Sequence, residues 1–169
     1  ARERGIRHVV LGHTADDQAE TFLMGLARAA GIDGLSGMRR QWDDGVVQWA
    51  RPLLRTPRAA LRDYQVRNGV SWVEDPSNAD EQYTRVKARR ALKALRPLGI
   101  TVDKLADVTV NLAIAQGALR EAAAKAAEEV LRTDAGEVVI DRAGLRQLGP
   151  ELTRRILIAA LRWVSSAPY

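Results

Sequence analysis

The chain contains no cysteine. That absence excludes disulfide staples and thiolate metal sites and makes a reducing cytoplasm the default compartment. No apolar run approaches the length of a membrane span, and the first residues carry no signal-peptide pattern, so nothing points to a membrane partner. Neither sign of charge is scarce: 26 lysines and arginines stand against 21 acids, for a net charge of +5 and a pI near 10.1. The excess is compatible with an anionic partner and too modest to identify one. At 169 residues the chain is long enough to bury a sizeable core, as one domain or as two small ones.

The richest stretch runs over residues 6–21. Val9, Val10 and Leu11 form the continuous apolar run expected of a strand buried on both faces, and Gly12 ends it. A helix is expected from Ala15 to Ala30, with Ala19, Phe22, Leu23, Leu26 and Ala30 as its apolar stripe and Gly31 as its stop. Thr14 and Asp17 read as a capping pair, and Asp16 and Asp17 suit the positive end of a helix. His13, Asp17 and Glu20 follow at steps of four and three, so they converge on one side. A strand-to-helix turn in an open sheet is where ligands sit. Carboxylates and an imidazole there can hold a divalent cation, position an amine nucleophile or trade protons, although ordinary helix capping also places acids at such a turn.

The glycine-rich stretch over residues 31–38 either lets backbone approach a ligand or supplies a turn at positive φ. Asp43, Asp44 and Gly45, between Trp42 and Val46-Val47, predict a hairpin turn, and Arg51-Pro52-Leu53-Leu54 leads out as a last strand or extended segment. Thr56-Pro57 is a helix start with a hydroxyl cap, and Asn68-Gly69 is its stop; Leu61, Tyr64 and Gln65 share a side. Glu74-Asp75-Pro76-Ser77-Asn78 predicts a sharp bend.

No acid occurs from Arg85 to Arg96, while Arg85, Lys87, Arg89, Arg90, Lys93 and Arg96 all do. Such a run repels itself unless an anion lies alongside, and phosphate suits it; a solvated face pairing with Asp80 and Glu81 is the alternative. Arg85, Arg89, Lys93 and Arg96 share one helical face, with Val86, Leu92 and Leu95 elsewhere. Pro97-Leu98-Gly99-Ile100 marks a domain boundary. A long helix is expected over residues 102–132, with Leu105, Val108, Leu112, Ala115, Leu119 and Ala122 as its stripe, a core or partner contact and not a cofactor site. A short strand over residues 136–141 and helices over 145–148 and 150–164 follow, the last with Leu152, Ile156, Ala159, Ala160 and Trp163 facing in.

Four blocks occur in a characteristic order: Gly-His-Thr-Ala-Asp-Asp-Gln-Ala-Glu-Thr from Gly12, Gly-Ile-Asp-Gly-Leu-Ser-Gly-Met from Gly31, Arg-Pro-Leu-Leu from Arg51, and Trp-Val-Glu-Asp-Pro-Ser-Asn from Trp72 with Tyr83-Thr84-Arg85. In these the chain resembles the tRNA(Ile)-lysidine synthase family of PP-loop ATP pyrophosphatases. The resemblance implies an α/β fold: a partial Rossmann-like, adenine nucleotide alpha hydrolase-like parallel sheet over residues 1–96, then an all-α accessory domain over 97–169 that helps to hold tRNA. It implies a ligase that uses ATP to adenylate the wobble cytidine of tRNA(Ile) and joins the ε-amine of L-lysine to carbon 2 of that base. By the same resemblance, Asp17, Glu20, His13, Asp16 and Arg85 are catalytic, and Gly12, His13 and Arg85 meet the nucleotide. Asp17 and Glu20 handle Mg2+ and the lysine amine. Lys87, Arg89, Arg90, Lys93 and Arg96 grip the anticodon arm, with Arg28 and residues 31–37 in support. Whether the chain forms a homodimer stays open.

The sequence departs from the family in two places. The ATP-binding Ser-Gly-Gly-x-Asp-Ser loop is absent, with Leu35-Ser36-Gly37-Met38 only a loose echo, so the main cradle for phosphates is missing. Lys87 stands where the family commonly has arginine. Ala1-Arg2-Glu3-Arg4-Gly5 reads as the tail of a helix, so the expectation is a truncated piece, inactive alone. Another PP-loop tRNA-modifying enzyme, such as a thiolase, and a noncatalytic RNA-binding fragment remain as alternatives; the lack of cysteine counts against the thiolase.

Overall fold

The computed structural model of the chain is mixed α/β and describes residues 4–74 and 82–165. The bend expected over residues 75–78, and the acids Asp80 and Glu81, lie outside the described residues. The chain divides into two compact units, Ala1–Ala113 and Ile114–Tyr169, with the division inside one long helix.

In the first unit three short strands, β1 (His8–Val10), β2 (Gln41–Asp43) and β3 (Gln48–Ala50), form one sheet in the order β1-β3-β2. β1 runs parallel to β3, whereas β2 pairs antiparallel with it, so the sheet is mixed and the expectation of a parallel sheet is corrected. The β2–β3 hairpin forms where Asp43, Asp44 and Gly45 predicted it. Asp43 Oδ1 accepts from the Gly45 N–H at 2.6 Å, Asp44 Oδ1 accepts from Val46 at 3.0 Å and Val47 at 2.8 Å, and Gly45 takes φ +87°. Register places Val9, Trp49 and Trp42 in one row, and the two indoles stack with centroids 5.7 Å apart. Among the described residues, the run expected to be buried on both faces lies at one side of the sheet, with Val10 66% exposed. An apolar run reports hydrophobicity; which neighbours cover it depends on strand order. Residues 51–54 turn and do not extend the sheet, although Leu54 is buried.

α1 (Ala15–Leu26) ends about a turn before Gly31. The chain reverses there, with Ala29 in the left-handed region at φ +51°, so that the short α2 (Ile32–Leu35) can pack on the α1 end. A Cβ at Gly25 would already lie 3.2 Å from Gly34 O and from Leu35 Cδ2. Gly37 has φ +73°, and a Cβ on it would stand 2.9 Å from the Gln18 carboxamide and 3.0 Å from Thr109 Cβ. Of the two readings of the glycine-rich stretch, Gly37 therefore serves a tight turn and a close approach within the protein.

α3 (Arg58–Arg67) stops at Asn68-Gly69 as expected, with Gly69 at φ +63°, but buries no residue. α4 (Thr84–Leu95) buries Val86, Ala88 and Leu92 and ends in a 3₁₀ turn closed by Gly99. Leu92 meets Ala19 of α1 and Leu105 of α5 (Val102–Val130) in the core of this unit, flanked by Phe22, Leu23, Ile100 and Val102. α5 buries Leu105, Ala106 and Thr109 here and Ala123 and Val130 farther on, whereas Val108 is exposed. The expected stripe steps from Leu105 to Val108, whereas the buried face continues through Ala106 and Thr109, so the two part within the first turn.

In the second unit the remainder of α5 packs with β4 (Leu131–Asp134), β5 (Glu137–Ile140), α6 (Arg142–Gln147) and α7 (Pro150–Val164). The region is not all-α. β4 and β5 pair antiparallel through a two-residue turn, Ala135 and Gly136, with both φ values positive, as a right-twisted hairpin requires. Asp141 caps α6 by accepting from the Ala143 and Gly144 N–H groups. Ala123, Val130 and Ile156 form the core, with Leu145, Leu148 and Leu152 against it. Ile156 and Ala160 face in as expected, while Ala159 and Trp163, the latter 57% exposed, do not. Among the described residues no helix is long and apolar enough to cross a membrane.

Two glycines separate steric need from mere presence. Gly37→Ala should destabilise the chain by about 1–3 kcal/mol, through the left-handed backbone and the clash with Gln18. Gly117→Ala, in the middle of α5 with nothing within 4 Å of the added Cβ, should stabilise it by about 0.5–1 kcal/mol. Urea unfolding of both variants against the parent chain checks the opposite signs.

Candidate active site at the start of the first long helix

Parallel pairing with Val10 opposite Ala50 brings the segments after β1 and β3 out of the sheet side by side, and the ladder continues with Leu11 N–H to Ala50 O at 2.8 Å. His13 and Arg51 therefore meet: Arg51 Nε donates to His13 Nδ1 at 3.1 Å. The same guanidinium lies 4.4 Å from the Trp42 ring centroid and donates from Nη1 to Arg39 O at 2.9 Å. Gly12, just before His13, is exposed, with nothing within 4 Å of where a Cβ would stand.

The α1 N-terminus forms the capping box that Thr14 and Asp17 predicted. Asp17 Oδ2 accepts from both the Thr14 N–H and its hydroxyl, each at 2.8 Å. Asp16 acts at a distance: its Oδ2 accepts from the Arg58 N–H at 2.6 Å, and the Ala15 N–H bonds Thr56 O at 3.1 Å. The first turn of α3 is thereby held by an acid from another helix, while Pro57 at its cap position supplies no side-chain bond. The hydroxyl cap expected from Thr56 is replaced by the Asp16 carboxylate, which suits the positive helix end better.

Arg58 then bridges two acids, with Nη2 3.2 Å from Asp17 Oδ1 and Nη1 3.5 Å from Glu20 Oε1. Glu20 is 0% exposed; its Oε1 also accepts from Arg89 Nε at 2.6 Å, and its Oε2 has no hydrogen-bond partner among the described residues. Burial pushes the Asp17 carboxyl up, but the two Thr14 hydrogen bonds and the charge of Arg58 outweigh it, leaving Asp17 below its ordinary 3.8.

The structure thus gathers His13, Asp16, Asp17 and Glu20 at one helix start, and each already has protein contacts. Arg89 is a correction. Expected on the RNA-facing side, it turns inward to Glu20, because a buried carboxylate needs a counter-charge and α4 packs on α1. The shared face of Arg85, Arg89, Lys93 and Arg96 is split accordingly. Arg85 stands exposed one turn earlier and makes no hydrogen bond or ion pair with the cluster; Lys87, Arg90, Lys93 and Arg96 are exposed, as is Arg28 beyond the end of α1. Sequence reasoning passed over Arg51, Arg58 and Gln18, whose Oε1 accepts from the Met38 N–H at 2.7 Å and ties the glycine-rich stretch to α1. Only their places inside or beside the motif blocks signalled them. No group of three or more His, Asp or Glu residues that could hold a metal ion occurs among the described residues.

A profile of the PP-loop domain matches residues 1–95. The tRNA(Ile)-lysidine synthase of Ruegeria pomeroyi is 47% identical over 95% of this chain and 38% of its own length. That of Rhodopseudomonas palustris is 39% identical over 95% and 47%, and that of Anaplasma marginale 32% over 94% and 34%. The resemblance read from the four motif blocks is borne out, and the chain spans about a third to a half of the length of these curated relatives.

Because the folded Asp17 carboxyl titrates below its free value, its contribution is full above pH 3.8 and is lost as pH falls through the folded value. Asp17→Asn should therefore cost about 1–2 kcal/mol at neutral pH, and that difference should shrink in acid, as read by urea unfolding at both pH values. Glu20→Gln, which leaves two guanidiniums without their buried counter-charge, should cost more, about 3–5 kcal/mol.

Proposed function

The chain belongs to the PP-loop domain family, and on that footing we propose that it is part of a longer ligase that uses ATP to build lysidine into tRNA(Ile). The observation that carries the reading is the parallel β1–β3 pair, which delivers Gly12, His13 and the acid-bearing start of α1 to the carboxyl end of the strands, the position ligands take in open α/β sheets. Residues 1–96 belong to the nucleotide-binding, catalytic domain and 97–169 to a tRNA-holding accessory domain, working in the cytoplasm.

In this proposal Gly12 leaves room for a nucleotide to approach the backbone, and His13 and Arg85 contact it; most of the phosphate cradle comes from outside the chain. The wobble cytidine of the anticodon arm attacks ATP and releases pyrophosphate; the ε-amine of lysine then bonds carbon 2, passing a proton to water, and AMP departs. Asp17 and Glu20 receive the positive charge of that amine and Asp16 holds α3 in place. Lys87, Arg90, Lys93 and Arg96 track tRNA phosphates, for which exposed cations along one helix are suited. As arranged, Asp17 and Glu20 do not make a magnesium site: Thr14, Arg58 and Arg89 take up three of their four oxygens, and only Glu20 Oε2 is left over, far short of the octahedral oxygen shell the ion demands. No step is derived through that ion.

Four measurements test the reading. Titrated with an anticodon stem-loop at two salt concentrations, the 169-residue chain should bind weakly with a steep salt slope and catalyse no ATP–pyrophosphate exchange. In a full-length protein carrying this chain, Asp17→Ala should cut lysine transfer by at least about 100-fold. Lys93→Ala should instead weaken tRNA binding and reduce the salt slope by about one, leaving transfer intact at saturating tRNA. Wild-type transfer by Asp17→Ala would remove the site assignment.

A further inference from the structure

Arg51 is held more firmly than an exposed-loop arginine has reason to be. Its guanidinium lies over Trp42 at 4.4 Å and donates from Nη1 to Arg39 O at 2.9 Å. Trp42 is stacked on Trp49, whose Nε1 donates to Asp44 Oδ2 at 3.1 Å, so the hairpin turn, both indoles and the guanidinium form one chain of contacts. The chain ends at His13, whose Nδ1 accepts from Arg51 Nε at 3.1 Å. A guanidinium has donors only, so the imidazole nitrogen facing it carries no proton. The proton sits on Nε2, at the opposite edge of the ring, where His13 has no hydrogen-bond partner among the described residues.

We propose that Arg51 is a positioning residue that fixes His13 as the Nε2–H tautomer, so that His13 serves the site as a hydrogen-bond donor to an anionic substrate oxygen and not as a proton acceptor. Of the chemistries open to an imidazole at this turn, the geometry retains one. With Nδ1 occupied by a donor and Nε2 already protonated, the ring has no lone pair to take a proton from an amine. It presents an N–H, which suits an oxygen bearing negative charge, such as that of a nucleotide phosphate. Ordering a long arginine side chain is costly in rotamer entropy; here a cation–π contact and two hydrogen bonds offset it, and the result is a ring held from one side only. The tautomer stands on the contacts alone; its use on substrate rests on the ligase reading.

Nitrogen-15 spectra of the imidazole rings in the 169-residue chain read the tautomer directly. His8→Gln removes the other of the two histidines and leaves His13 as the sole signal. The expected result is a single Nε2–H species. Arg51→Met, which keeps an apolar stem over Trp42 but has no donor, should let the Nδ1–H form appear, and Arg51→Lys, which keeps a donor and the charge, should suppress it again. A purely structural Arg51 would lower stability in Arg51→Met and leave the tautomer populations unchanged, which would overturn the proposal. So would an Nδ1–H ring in the parent, a result that decides even if Arg51→Met fails to fold. In a full-length protein, Arg51→Met should lower kcat for lysine transfer by about 10–100-fold with KM for lysine nearly unchanged, and Arg51→Lys should recover much of it. Unchanged kcat beside an altered tautomer would overturn the donor role. Absence of lysine transfer in the parent full-length protein would overturn the ligase reading and leave the tautomer result standing.

Discussion

The first unit depends on one buried negative charge. Glu20 has lost all contact with solvent, and a carboxylate in that position is tolerated only with counter-charges at hand. Arg58 and Arg89 supply them from α3 and α4, so a single carboxylate on α1 links three helices that are distant in sequence. The consequence is clearest for α3, which buries none of its own side chains and so has little hydrophobic reason to stay where it is. Its attachment is polar: Arg58 on Asp17 and Glu20, Asp16 on the first N–H, and Thr56 O on Ala15.

The three acids at the start of α1 thus do structural work before any chemistry is asked of them. Asp16 and Asp17 each satisfy a helix N-terminus, one across space and one locally, and Asp17 and Glu20 share Arg58. A cationic substrate group that entered here would meet oxygens already engaged, and it would compete first with Arg58. That guanidinium sits 3.2 and 3.5 Å from its two partners, whereas Arg89 approaches Glu20 to 2.6 Å from a helix packed into the core. In the Coulomb sense the longer contacts are the weaker.

What was legible in the sequence is what local chemistry decides. The Thr14–Asp17 cap, the Asp43–Gly45 turn, the Asn68–Gly69 stop and the proline start of α7 depend on residues a few positions apart, and each formed where its residues predicted. The four motif blocks also carried the family, since order and composition are sequence properties. What was not legible depends on partners far along the chain. Val10 reads as core and is exposed among the described residues; Arg89 reads as one cation among six and pairs with Glu20 of α1; Arg51 stood only inside a motif block and Arg58 went unnoticed, yet they hold the imidazole and two acids. The hairpin at residues 131–140 was half seen, because the alanine-rich helix before it was expected to run to residue 132, past its end at Val130 and into the first half of β4.

The register of two three-residue strands links these observations. If β1 slid by one residue against β3, Val9 would leave the tryptophan row and every side chain on the strand would change face, because side-chain direction alternates with period two. The segments leaving the sheet would then be displaced by a residue as well, and His13 would no longer meet Arg51. Strands this short do not set their own register. It is held by the Asp44 turn and the stacked Trp42–Trp49 pair on one side, and by the Leu11 and Gln48 N–H bonds that extend the β1 ladder on the other. The hairpin, which carries none of the α1 acids, therefore helps to set where those acids and the imidazole stand, and its tryptophans belong to the site's geometry although they touch none of the three.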